Sequence, residues 1–220
     1  MGLLLMLMTI GGLGLAFVVF VVSLISKRFW LIKFVVGGVF VWFLIYGILL
    51  IGTSLSSEEK TLAMNEPKEF CGFYLDCHLH TAVTDVRTAE RIGGEKAQGI
   101  FYIVKVKVFS NAKQATLHLT EPLAELYDIG GRIYSRRLKA EKQLPTANVS
   151  LTQDVSADES FEKEIVFDVT EPSENNKLLI TEGYGIDKVI EAFLIGDEDS
   201  IFHKRTFFDV KSGEQIIDLK

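Results

Sequence analysis

The sequence predicts two membrane-spanning helices followed by an all-β antiparallel sandwich. Two apolar runs open the chain, and every acidic residue lies after them. From Phe70 onward the apolar residues fall into short period-two segments separated by Gly, Pro, Asn and Asp. No amphipathic helix of useful length competes with those segments.

The first apolar run, Leu3 to Ile25, carries no charge. The second, Phe29 to Gly52, carries only Lys33, near its start. At about 1.5 Å rise per residue, about 23 residues cross the roughly 30 Å hydrocarbon core. A chain in lipid must satisfy its own backbone polar groups, so both runs are expected to be helices. Only Ser26-Lys27-Arg28 separates them. The cluster of Lys27, Arg28 and Lys33 assigns this loop to the cytoplasmic side and both termini to the other. A cleaved signal peptide fits poorly, because a basic n-region and an Ala-x-Ala site are missing and the run is too long. Gly11, Gly12 and Gly14 on the first run and Gly37 and Gly38 on the second predict a close mutual contact. Neither run holds an acid or a histidine, which argues for an anchor rather than an ion path.

Thr53 to Glu69 is polar, with Ser54, Ser56, Ser57 and Pro67, and reads as a juxtamembrane linker with a short helix at Ser57 to Met64. From Phe70 a strand is expected, with Phe73, Leu75, Cys77, Leu79, Thr81 and Val83 on one face and Tyr74, Asp76, His78 and His80 on the other. Gly99 to Ser110 is the strongest strand, because Tyr102, Val104, Val106 and Val108 alternate with Lys105 and Lys107. Gln114 to Thr120 follows it after a turn. Gly130-Gly131, between two apolar runs, signals a hairpin, and Gly93-Gly94 reads as a turn. A helical turn is expected at Ser135 to Lys142. Strands at Phe161 to Val169, Leu178 to Thr181, Val189 to Ile195 and Thr206 to Val210 complete the set. The boundaries are therefore helices over 1–52 (3–25 and 29–52), linker over 53–69, sandwich over 70–212 and a tail over 213–220.

Of 29 acidic residues none precedes Glu58, and three of the 23 basic residues belong to the hairpin. The remainder sets 20 basic residues against 29 acidic ones, which argues against nucleic acid and against charge-driven docking on anionic lipid.

Gly99-Ile-Phe-Tyr-Ile-Val-Lys-Val-Lys-Val-Phe-Ser-Asn-Ala112 resembles the central strand and turn of an uncharacterised family of bacterial extracytoplasmic domains. Phe161 to Val169 and the Gly turn within Leu123 to Tyr134 fit the same scheme, over roughly residues 70–210. The resemblance implies an immunoglobulin-like sandwich, a fold shared by a mycobacterial secreted immunoprotective antigen. It also implies an extracytoplasmic site at a bacterial inner or plasma membrane, and no agreed activity. One departure is that Ser156-Ala-Asp-Glu-Ser160 stands where the family carries Pro-Gly.

The sharpest local feature is Cys71-Gly-Phe-Tyr-Leu-Asp-Cys77-His78-Leu-His80, which holds both cysteines and two of the four histidines. Three readings stay open. In an oxidising compartment Cys71 and Cys77 are expected to pair. On one continuous strand they would lie about 20 Å apart, whereas a bridge needs less than about 7 Å, so the chain would have to reverse or bulge, with Gly72 the obvious place. Alternatively, thiolate and imidazole suit copper or zinc. His78 and His80 share a strand face, Cys77 points the other way, and His203 could complete such a set. In the third reading Cys77 is a buried apolar residue and the histidines lie at the surface. The chain holds no Gly-x-Ser-x-Gly elbow, phosphate-binding loop or dinucleotide fingerprint.

The leading expectation is a non-enzymatic, membrane-anchored binding module, with no catalytic residues and no cofactor, that meets a protein partner in the membrane or periplasm. The alternatives are a copper- or zinc-handling domain built on Cys71, Cys77, His78, His80 and His203, and a structural subunit of a membrane complex.

Overall fold

The apolar run Phe101 to Val104 and the alternation from Val104 to Val108 build the centre of the domain. The computed structural model describes residues 2–71, 77–170, 175–183 and 185–211. The expected residues Phe73, Tyr74, Leu75 and Asp76 and the tail 213–220 lie outside them. The element order is α1 (Gly2–Ile25), α2 (Phe29–Leu55), β1 (Lys60–Leu62), β2 (Lys68–Phe70), β3 (Leu79–Ile92), β4 (Glu95–Ser110), β5 (Leu123–Tyr127), β6 (Ile133–Ser135), α3 (Leu138–Glu141), β7 (Ser160–Val169), β8 (Asn176–Thr181), α4 (Gly185–Glu191) and β9 (Thr206–Val210). Two compact units result, Met1–Glu58 with Gly185–Arg205, and Glu59–Tyr184 with Thr206–Lys220.

The larger unit is a sandwich of a four-stranded sheet, β2-β3-β4-β7, and a five-stranded sheet, β1-β9-β8-β5-β6. All pairings are antiparallel except β1 with β9, which run parallel. Val83, Val86, Tyr102, Val104, Val106, Val108, Ile165, Phe167 and Val169 of the first sheet meet Ala124, Leu126, Leu178, Ile180, Phe208 and Val210 of the second in one buried core. The opposite face of β4 carries Phe101 and Ile103. With Ala89, Ile92 and Val166 they form a second, smaller core beneath Ala140 and Leu144. This explains why Ile100 to Val104 is apolar throughout, whereas beyond it Lys105 and Lys107 alternate with buried valines. The first half of the strand is covered on both faces.

The β3–β4 turn passes through Gly93, and the β5–β6 turn through Gly130-Gly131, with φ of +54° at Gly93 and +78° at Gly131. Asp128 closes the second turn. Its carboxylate accepts the Arg132 N–H at 2.9 Å and the Tyr134 hydroxyl at 3.1 Å. The Arg132 amide first, and then Tyr134 and the Arg132 charge, hold that carboxyl below the usual carboxylate range despite its burial.

Several expectations are corrected. The 53–69 segment is not a bare linker: α2 continues to Leu55, and β1 and β2 join the two sheets in place of a helix at Ser57 to Met64. Gln114 to Thr120 is not a strand: among the described residues its one bridge is Leu117 with Val155. Val189 to Ile195 is not a strand; α4 and the turns after it occupy that stretch. Residues 185–205 accordingly leave the sandwich and belong to the unit that contains the hairpin.

In that unit α1 and α2 are long and apolar enough to cross a bilayer. Trp42 Nε1 donates to Thr9 Oγ1 at 3.2 Å across the pair. The glycines do not form the close contact expected of them. A Cβ placed at Gly11, Gly12, Gly14, Gly37 or Gly38 would meet nothing within 4 Å. Gly12 and Gly38 instead line an apolar groove of about 440 Å³ with Phe34 and Trp42.

Candidate functional site

The Cys/His stretch is the connection of a β-hairpin, not one strand. β2 ends at Phe70, which pairs with Leu79 at the start of β3, so the chain reverses between them. That reversal brings the Cα atoms of Cys71 and Cys77 to 3.9 Å, with the sulfurs paired at disulfide distance. The residues between them, 72–76, lie outside the described set.

The histidines separate. Asn111 meets His78 twice: its N–H donates to the His78 carbonyl at 3.0 Å, and its Oδ1 lies 2.6 Å from His78 Nδ1. His80 is buried and stacked on its cross-strand neighbour Phe109, ring centroids 5.0 Å apart. Among the described residues, neither of its ring nitrogens meets a hydrogen-bonding group. His203 belongs to the other unit, and its Nδ1 lies 2.8 Å from the Lys204 carbonyl. His118 sits at the surface beside Asp154, at 3.2 Å. Among the described residues, no three His, Cys, Asp or Glu side chains gather where they could hold a metal ion.

The richest polar cluster was not expected from the sequence. β7 is an edge strand, and an uncovered edge invites pairing with another chain. The segment after β6 covers it. The Arg137 N–H donates to the Val166 carbonyl at 2.7 Å, and Arg136 bridges Phe167. Glu141, from α3, accepts the Val166 N–H at 3.2 Å and takes Arg136 in a fork at 2.9 and 2.6 Å. Asp168 accepts the backbone N–H groups of Gln98 and Gly99 and pairs with Arg137 at 3.1 Å. Glu164 pairs with Arg87 and accepts from Thr146 Oγ1 at 3.4 Å. Lys163 points to the opposite face and donates to the Thr146 carbonyl at 2.8 Å. Burial pushes its amine down, the charge of Glu141 pulls it up, and Arg136 pushes it down again.

Two clefts flank this cluster. One, of about 440 Å³, is lined by Arg136, Glu141, Lys163, Asn148 and Ser150. The other, of about 420 Å³, is lined by Lys96, Gln98, Arg137, Lys139 and Asp168. In both, the buried carboxylates are already committed to arginines and backbone amides, so the arrangement clamps an edge. The sequence signal was Arg136-Arg137 before a strand whose acids, Glu162, Glu164 and Asp168, fall on one face.

The profile of the family described as Domain of unknown function (DUF4352) matches residues 76–190. The chain belongs to that family. In the DUF4352 chain the matched stretch runs from the end of the cysteine loop, through both cores and the arginine–carboxylate clamp, into α4. No curated protein matches it. Among solved structures it is similar to MPT63, a secreted protein from Mycobacterium tuberculosis, at 15% identity and a TM-score of 0.45, over 70% of this chain and 99% of that one. The yjhA protein from Bacillus subtilis matches at 10% identity and a TM-score of 0.42, over 69% and 100%. An uncharacterised β-sandwich protein from Clostridium difficile matches at 10% identity and a TM-score of 0.35, over 71% and 98%.

Proposed function

We propose that this DUF4352 domain is a non-enzymatic, extracytoplasmic binding module, retained at the membrane by its N-terminal helical hairpin. The observation that carries the reading is that residues 185–205 fold with the hairpin. The Tyr46 hydroxyl donates to the Phe193 carbonyl at 2.7 Å, Ser54 and Ser200 share a buried hydrogen bond at 3.2 Å, and the Lys204 N–H donates to Ser57 Oγ at 2.8 Å. A hairpin with its own folding partner favours an anchor over a leader. Lys27, Arg28 and Lys33 at the loop favour a cytoplasmic loop and extracytoplasmic ends, and a paired Cys71–Cys77 suits an oxidising compartment. The exposed Leu123, Ile129 and Ile133 around the β5–β6 hairpin favour a protein partner there.

The test is a pair of fusions to Lys220. A phosphatase active only outside the cytoplasm should work, and a fluorescent protein that matures only inside should stay dark. The purified chain should retain the hairpin mass. A bright cytoplasmic reporter, or a chain shortened by the hairpin, would refute the reading.

A further inference from the structure

The 21 residues between β8 and β9 that join the hairpin unit expose four large apolar side chains. Ile186 is 69% exposed, Val189 57%, Phe193 49% and Phe202 67%. Ile186, Val189 and Phe193 recur at helical spacing along α4 and the turn that follows, where the Phe193 N–H donates to the Ile190 carbonyl at 3.0 Å. Such a stripe on a water-facing segment is unfavourable unless something covers it.

The depth at which the segment meets the hairpin identifies the cover. Phe193 is bonded at Tyr46, Ser200 at Ser54 and Lys204 at Ser57. At about 1.5 Å per residue, Tyr46 to Ser54 is about 12 Å along the helix axis. The apolar run of α2 ends at Gly52, so Tyr46 lies about 9 Å inside it, again at about 1.5 Å per residue. Interfacial segments bury their apolar faces about 5–10 Å below the headgroup boundary. At the start of α1 the agreement is independent, since a Cβ on Gly2 would collide with the Ile195 carbonyl. Residue 195 therefore sits level with the first residue of that helix.

We infer that residues 185–205 form a bilayer-seated segment, with Ile186, Val189, Phe193 and Phe202 in the acyl–headgroup boundary beside the hairpin. This rests on the anchor reading above. The partner is neutral lipid: the segment carries five acidic residues against three basic ones, which offers no attraction to anionic headgroups. Three of its five acids, Asp197, Glu198 and Asp199, gather at one turn, where the Asp199 N–H donates to Asp197 Oδ1 at 2.9 Å and Arg205 lies 3.9 Å from Asp199, an arrangement that suits the hydrated headgroup level.

The experiment uses the full chain reconstituted in phosphatidylcholine vesicles with or without brominated acyl chains. Wild-type Trp30 and Trp42 report on the hairpin. Phe193→Trp, and separately Phe202→Trp, in a Trp30→Phe/Trp42→Phe background report on the segment. The expected result is blue-shifted emission that brominated lipid quenches strongly and aqueous iodide hardly touches. Quenching of wild-type Trp42 by brominated lipid, together with iodide-quenched, red-shifted emission from both new tryptophans, would overturn the inference and leave the anchor standing. Loss of lipid quenching at Trp30 and Trp42 as well would overturn both.

Discussion

If Cys71 and Cys77 are joined, cutting the bond has a calculable cost. The closed loop is short, with a sequence separation of 6. In the chain-entropy treatment, a loop of about 7 residues restrains the unfolded state by about 2.4 kcal/mol at 25 °C. For a domain of about 150 residues each kcal/mol moves Tm by about 2–4 °C, so Cys71→Ser/Cys77→Ser should lower it by about 5–10 °C. The assay is thermal unfolding of the full chain in detergent, alongside a thiol count after denaturation without reductant. The wild type should show no free thiol, and copper or zinc should leave its Tm unchanged. His80→Ala should lose the stack on Phe109 without changing the thiol count. The metal reading predicts the opposite: thiols freed by chelator, and a metal-dependent rise in Tm that His78→Ala or His80→Ala abolishes. Two free thiols in the air-exposed, metal-free chain would refute the bond.

Val106 is fully buried, so Val106→Asp should cost more than about 4 kcal/mol and prevent folding. Lys105→Gln, which loses a partly exposed ion pair with Glu162 at 3.7 Å, should cost under about 1 kcal/mol by denaturant titration. Similar behaviour of the two would show the β4 register to be wrong. Asp168→Ala frees two backbone donors and Arg137 and should cost about 2 kcal/mol, with faster hydrogen exchange at Gln98 and Gly99 as the local readout. For Lys163 burial sets the folded-state pKa below 10.5, so the unfolded chain binds the proton more readily. Unfolding free energy should therefore rise with pH between the folded value and 10.5, and Lys163→Met should flatten that rise. An unaltered alkaline slope in the mutant would assign the titration elsewhere.

The legible parts of the fold share one property: their neighbours impose a single period. Thr206 to Val210 was expected as a strand and is β9, and the hairpin about Gly130-Gly131 is β5–β6. Val104 to Val108 shows its alternation because one face is core and the other carries lysines. The illegible parts depend on partners distant in sequence. β1 and β2 have three residues each, too few for any pattern, and exist because β9 and β3 pair with them. Glu141, Glu164 and Asp168 look like solvent-facing acids, yet each is buried by the segment that crosses the β7 edge. Pairing of the cysteines required the chain to reverse between them, and the pairing of Phe70 with Leu79 supplies that reversal.

Residues 189–195 show how context overrides a period. Val189, Ile190, Phe193, Leu194 and Ile195 satisfy a short strand pattern as well as a helical one, and only the surroundings choose. β8 and β9 are adjacent and antiparallel, with Asn176 opposite Val210 and Leu178 opposite Phe208, so a tight turn could join them. Closing a longer connection costs little more, about 0.6 kcal/mol for each doubling of its length. From a turn of about 3 residues to one of about 24 the cost is about 1.8 kcal/mol, which the burial of two large apolar side chains, about 1.5–3 kcal/mol each, exceeds. An excursion that finds a second apolar surface is therefore favoured over a short turn, and it leaves the register of the β8–β9 pair intact. The sandwich can thus carry an insertion that folds with the hairpin without change to its core, because the insertion leaves and re-enters at two strands that already hold each other.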